Sequence, residues 1–344
     1  MLRLVWSLSI ALALTSIFVM LVLIVRRVIV TRLEKNRNAA KARLNAALIR
    51  FTADEDKEKV LASLSGIPKT VIADAGFEFL ALLRGNERRE IEEVFAEIGI
   101  QRVIRKQLRQ GNRSQRIFAA ERLTAFPAAE TNRALLAALR DRSRQVRIAA
   151  AIALGEMQAL PPLADVMNMI GYRGQRSARI VDLFQTLGAE RSEELRSVAL
   201  DIRANALMRS AAIAVLGQTG DYSHLAFIRE MTRDESADIA AAAVNAVGRL
   251  AHPSSAPTVI EALRHADWRV RSEAAQAVRL VGARDAIPEL TTLLEDAEWP
   301  VRYWAAHALH AFGQEGIDML RSIAEGDPSR SQRTASMVMA EDAA

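Results

Sequence analysis

Six basic side chains, Arg102, Arg105, Lys106, Arg109, Arg113 and Arg116, follow one another mostly at spacings of three and four. On a helix much of that set lies along one edge. Such an edge can hold an acidic protein, a phosphorylated partner or lipid headgroups by charge. The plainer reading, and the commoner one for a charge stripe, is a solvated ridge. The five histidines are His224, His252, His265, His307 and His310. Only His307 and His310 share a helix face, and no third ligand accompanies them, so no metal site is expected. With no cysteine in the chain, disulfides, thiolate metal sites and cysteine nucleophiles are excluded. No glycine-rich phosphate loop, nucleophile elbow or diagnostic carboxylate pair is present. The chemistry on offer is binding, with no catalytic residue and no cofactor.

The elements that must carry these residues are helices. Half of the 344 residues are apolar but only 5% are aromatic, which suits alanine- and leucine-packed helices better than one globular centre. The sequence pI is near 9.8, yet the basic excess is local. Residues 1–50 hold nine Lys/Arg against Glu34 alone, leaving 37 basic and 40 acidic side chains in residues 51–344. The body of the protein is therefore slightly acidic, and a nucleic-acid partner is not expected.

From Met208 to Gly313 a short pattern returns at one fixed interval. Its anchors are Met208, Ile239, Val270 and Val301, evenly spaced along the chain. Four positions on stand Ala212, Ala243, Ala274 and Ala305, and eight positions on stand Leu216, Val247, Val278 and Leu309. Offsets of four and eight share a helix face. A unit this short cannot bury its own apolar face and must stack on the next. Val146 (with Ala150 and Leu154) and Gln115 (with Ala119 and Leu123) continue the phase backwards, whereas the copy expected at Ser177 offers only Val181 and Gln185. A second apolar segment lies between successive anchors. Pro257 and Pro288, separated by the same interval, are placed to open that second helix. Trp268 and Trp299 repeat the spacing once more and are expected to stack along the edge of the array.

The core VRxxAAxALGxxG, with Asp141 or Asp296 five residues before the anchor and Arg147 or Arg302 just after it, resembles the HEAT repeat in the short variant of the phycobilisome lyases. The resemblance spans residues 78–325. It implies an all-α, right-handed α-solenoid of about eight helix pairs. It also implies a ladder between repeats, built here on Arg116, Arg147, Arg209, Arg271 and Arg302 and broken at Ala240. Chromophore attachment does not follow from the repeat type, and the His-Glu dipeptides by which the HEAT-like deoxyhypusine hydroxylases hold iron are absent. An enzyme of the bilin-lyase type is the alternative to a scaffold.

At the other end, residues 4–25 run without charge or proline, about 33 Å as a helix and enough for a hydrocarbon core of about 30 Å. Arg3 lies on one side and the basic flank 26–50 on the other, which orients such a span with the body in the cytoplasm. The expected organisation is a short flank (1–3), a transmembrane helix (4–25), a basic juxtamembrane helix (26–50), divergent capping repeats (51–110), the array (111–325) and a disordered tail (326–344). The expected protein is a single-pass scaffold of a bacterial inner membrane, N-terminus outside, that organises a membrane enzyme or signalling complex. Its candidate partner-binding residues are Arg102, Arg105, Lys106, Arg109 and Arg113, together with Arg133, Arg140, Glu261, Arg264, Glu289 and Thr292, placed by helix phase on second helices.

Overall fold

The computed structural model describes residues 2–52, 57–171 and 178–341, and all regular structure among the described residues is helical. The chain divides into two units, Met1–Ala138 and Leu139–Ala344. The division falls inside the stretch expected to form a single array.

The first unit contains α1 (Leu2–Thr52), α2 (Lys57–Ser65), α3 (Lys69–Val71), α4 (Phe77–Leu80), α5 (Gly85–Glu97), α6 (Ile100–Gln110), α7 (Arg113–Arg122) and α8 (Ala129–Ala138). In α1, Ala40, Leu44, Ala47 and Leu48 are buried. These follow the helical spacing that turns one stripe toward a core. Between α3 and α4 the chain widens into a π-helical turn, Ile72–Gly76, a feature that re-aims side chains inside helices. Gly76 is required there by contact: a Cβ would stand 2.6 Å from the ring of Phe95, itself fully buried. Asp54, Glu55 and Asp56, an acidic run of the kind that suits a helix's first turn, lie outside the described residues.

The expected transmembrane span is corrected. Among the described residues no helix is long and apolar enough to cross a membrane. Side chains before Thr15 lie outside the described residues, and the described apolar run from Phe18 is closed by Arg26 and Arg27. The single-pass topology, and the orientation and localisation that rested on it, are withdrawn. Phe18, Leu21, Val25 and Ile29 nonetheless stand exposed on α1.

The second unit is a solenoid of HEAT-like helix pairs. Its first helices are α9 (Arg144–Glu156), α11 (Ala178–Gln185), α13 (Ala206–Leu216), α15 (Ala237–Leu250), α17 (Trp268–Val281), α19 (Trp299–Ala311) and α21 (Arg330–Glu341), and each packs on the next. Its second helices are α10 (Leu163–Ile170), α12 (Ser192–Leu200), α14 (Leu225–Met231), α16 (Ala256–Ala262), α18 (Ile287–Leu293) and α20 (Gln314–Ala324). Ala150, Ala212, Ala243, Ala274 and Ala305 are all fully buried, as are Leu154, Leu216, Val247, Val278 and Leu309. Small side chains here let first helices meet backbone to backbone. A Cβ on Gly217 would lie 2.5 Å from Ala246, and one on Gly248 would lie 2.8 Å from Ala277. Pro257 and Pro288 occupy the first turns of α16 and α18, where a missing N–H costs no helical bond.

The same contact locates the copy expected near Ser177. Gly155, nine places after Val146, faces Thr186, which makes Thr186 the counterpart of Ala246 and Ala277. The anchor is then Arg179, with buried Leu183 and Leu187 at the four and eight positions. Arg179 stands two places later than Ser177, where the regular interval from Val146 would put an anchor, and the next anchor is again in phase at Met208. Ser177 itself lies outside the described residues. The disordered tail is corrected as well. α21 is a further first helix, with Ala335 fully buried and Val338 nearly so. Ala335 falls one place short of a full interval after Ala305. The inner face of α21 carries Ser331 and Thr334, and the Ser331 hydroxyl donates to Glu295. Because Ser331 and Thr334 take buried places on that face, no sustained apolar stripe marks the helix in the sequence.

Candidate functional site

In α6 the apolar positions Ile100, Ile104 and Leu108 are buried at spacing four. That phase forces Arg102, Lys106 and Arg109 onto the exposed edge, and none of the three has a partner among the described residues. The stripe does not act as one set. Arg105 turns inward, with Nη2 3.0 Å from Glu130 of α8 and its side chain only 16% exposed. Arg116 is buried and donates from Nη1 to the Gly111 carbonyl at 2.8 Å, while Arg113 opens α7 on the surface. Arg133 is exposed on α8 and donates to the Ala129 carbonyl of its own helix at 3.4 Å. Arg140, exposed, belongs to the second unit.

Beside that edge a groove of about 590 Å³ runs between α1 and α6 over the π-helical turn. Asp74 lies in its wall and accepts from Arg37 Nη2 at 2.8 Å, Gln107 Nε2 at 3.1 Å and Arg122 Nη1 at 3.3 Å. Arg122 Nη2 also reaches the Asp74 carbonyl at 3.2 Å. One carboxylate thus ties α1, α6 and α7 together. Nothing in the linear spacing of Arg37, Asp74, Gln107 and Arg122 shows this; only the π-helical turn brings them to one point.

The second-helix residues of the other unit are engaged within the unit. Arg233 of the preceding pair holds Glu261 with Nε–Oε1 3.1 Å and Nη2–Oε2 2.6 Å, and Arg264 holds Glu289 at 2.5 Å. The Thr292 hydroxyl donates to the Pro288 carbonyl at 3.1 Å, and Arg229 Nε reaches Thr258 at 3.0 Å. Glu261, Arg264 and Glu289 therefore bind neighbouring repeats. The missed partner, Arg233, precedes Glu261 by slightly less than one repeat, a separation that invites attention once successive second helices are set side by side.

The arginine one place after the anchor closes the turn before it, and Arg147, Arg209 and Arg271 also reach forward. Arg271 Nη1 donates to the His265 and Ala266 carbonyls, both at 2.8 Å, while Nε meets Asp296 at 2.7 Å. Arg209 donates to Ala199 O and pairs with Asp234 at 2.9 Å. Arg147 reaches Asp141 O and, where the phase slips, Ile170 O at 2.8 Å. Arg302 reaches Asp296 O and Ala297 O. At the interruption both partners have changed: Ala240 replaces the arginine, and His265 stands where Asp234 and Asp296 stand in their repeats. Its Nδ1 accepts from Asp267 N at 3.0 Å, the turn contact that Asp234 and Asp296 make to Ser236 and Glu298. Arg269 bridges this repeat instead, from Asp267 to Asp238.

These pairings set the titration of the carboxylates. The hydrogen bond from Arg269 leads in holding the Asp267 carboxyl down to about 2, against some opposing burial. Burial alone would raise Asp296, but the Arg271 hydrogen bond, the Glu298 N–H and nearby charge outweigh it and lower it. Arg233 lowers Glu261.

Among the described residues no group of three His, Asp or Glu is placed to hold a metal ion. His307 Nε2 lies 3.2 Å from Glu341 of α21. Trp299 stacks on Tyr303 of its own helix at 5.0 Å, and Trp268 and Trp299 are both partly exposed.

Residues 192–279 and 256–340 match the family of HEAT repeats. Comparison with curated proteins gives no match. Among solved structures, the complex of CpcE and CpcF of phycocyanin lyase from Nostoc sp. PCC7120 is 19% identical over 61% of this chain and 77% of that one, with a TM-score of 0.37. The karyopherin Kap121p is 15% identical, covering 88% of this chain but 39% of its own, with a TM-score of 0.46. Human deoxyhypusine hydroxylase is 15% identical over 70% of this chain and 94% of that one, with a TM-score of 0.25.

Proposed function

We propose that this HEAT-repeat chain is a non-catalytic scaffold that binds a protein partner, and that the partner docks on the exposed basic edge of α6. The observation that carries this reading is a contrast in pairing. Arg102, Lys106 and Arg109 face solvent without partners among the described residues, whereas Glu261, Arg264 and Glu289 are held by neighbouring repeats. Unneutralised cations on a rigid helix create a field that draws an acidic surface and sets its orientation. A structural role for the ionisable groups of the second unit supports binding over catalysis: Asp234, Glu261, Asp267 and Asp296 all serve ion pairs that join repeats or turns.

The test is chemical crosslinking with mass spectrometry on the full-length protein and on the triple variant R102E/K106E/R109E. A stoichiometric partner crosslinked to α6 in the first and lost in the second, at unchanged melting temperature, is the expected result. Identical crosslinks in both, or turnover of a small molecule by the purified chain, would refute the reading.

A further inference from the structure

We infer that the groove between α1 and α6 binds an extended acidic segment of the partner, so that recognition is by a peptide laid into a cleft beside the basic edge. This rests on the docking reading and adds the shape and chemistry of what docks. The volume of about 590 Å³ falls within the range of about 300–1,000 Å³ typical of ligand clefts. Its floor is apolar, with Ala40 and Val71 buried beneath it, which suits the spine of a chain but not a bare ion.

Charge selects the sign of the occupant. Asp74 is the only carboxylate among the described lining residues, and it is already neutralised by Arg37 and Arg122. Lys106 remains on the lip without a partner among the described residues, and Arg102 and Arg109 continue the same edge. An acidic side chain entering here meets cations and one carboxylate whose acceptors are taken.

The amides select an extended backbone. Gln107 spends its Nε2 on Asp74, leaving Oε1 to accept. Gln115 spends its Oε1 on the Asn112 N–H, leaving Nε2 to donate. Asn36 and Gln110 sit exposed on opposite walls, each with a donor and an acceptor. An extended chain presents N–H and C=O groups in alternation, and a mixed set of amide donors and acceptors answers that alternation. A helix has its backbone groups satisfied internally and offers nothing for them.

The experiment uses the full-length protein and a fluorescein-labelled ten-residue peptide of alternating Glu and Ser, read by fluorescence anisotropy, with the Lys–Ser peptide as its counterpart. Saturable binding of the acidic peptide alone is expected, weakened about tenfold or more by Lys106→Glu. Two groove-filling variants, Val103→Trp and the exposed Gln110→Trp, should weaken it comparably at unchanged melting temperature. If Lys106→Glu abolishes binding while both tryptophan variants bind as before, the α6 edge docks partners by surface charge and the groove inference is wrong. If neither peptide binds, or both bind alike, the groove inference fails. The crosslinking comparison then decides the docking reading by itself.

Discussion

Arg271 places Nε 2.7 Å from Oδ2 of Asp296 across one repeat boundary, with side chains only 17% and 8% exposed. Arg233 and Glu261 make an equally short pair with side chains 72% and 58% exposed. Arg271→Ala strands a buried carboxylate, and we expect a loss of about 3 kcal/mol in urea unfolding, the lower end of what breaking a buried pair costs. Arg233→Ala should leave the midpoint where it is, because an exposed pair is screened by solvent and salt. Equal losses would show that burial does not rank these contacts.

The lowered carboxylates make stability depend on acid. Asp267 titrates at about 2 in the folded chain and at about 3.9 in an unfolded one. Its contribution is therefore complete above about pH 4 and drains away as pH falls toward about 2. Asp296 and Glu261, also lowered, act in the same direction. Urea midpoints measured down from pH 5 should be level at first and then fall, and Asp267→Asn should flatten part of that fall.

Where first helices touch, glycine is a packing requirement. Gly217→Ala and Gly248→Ala would each set a methyl group against the backbone of the next repeat, and overpacking of this kind costs about 1–3 kcal/mol. Gly66, with nothing within 4 Å of a Cβ, is the control. Calorimetric melting should drop for the first two variants and stay within a degree or so for Gly66→Ala.

The ladder's interruption can be closed by restoring both members. Ala240→Arg alone places a guanidinium in a fully buried position without its carboxylate, and His265→Asp alone supplies a carboxylate without its cation. In a double-mutant cycle the pair should show favourable coupling of about 1–2 kcal/mol. Strict additivity would mean that position 265 does not face position 240 as Asp296 faces Arg271.

The repeat and its arginine ladder were readable because each needs particular residues at fixed offsets from an anchor. Legibility ended where one structural role passed to another residue type. Leu183 fills the alanine place behind the Arg179 anchor, and Ser331 and Thr334 take buried places on the inner face of α21. The candidate site was half legible. Helix phase put Arg102, Lys106 and Arg109 outside, but it could not tell that Arg105 would turn to Glu130. Nor could phase reveal that Glu261 and Glu289 would be taken by arginines from adjacent pairs, or that a π-helical turn would set Asp74 among Arg37, Gln107 and Arg122.

Because α1 is one unbroken helix from Leu2 to Thr52, its two ends cannot swivel independently. Turning the rod to shelter Leu21 or Val25 also drags Arg37 past Asp74 and Lys41 past Glu78, the residues to which they are fastened. Whatever comes to shield Leu21 and Val25 is thereby geared to the wall of the cleft, and load on the handle is felt at the jaw.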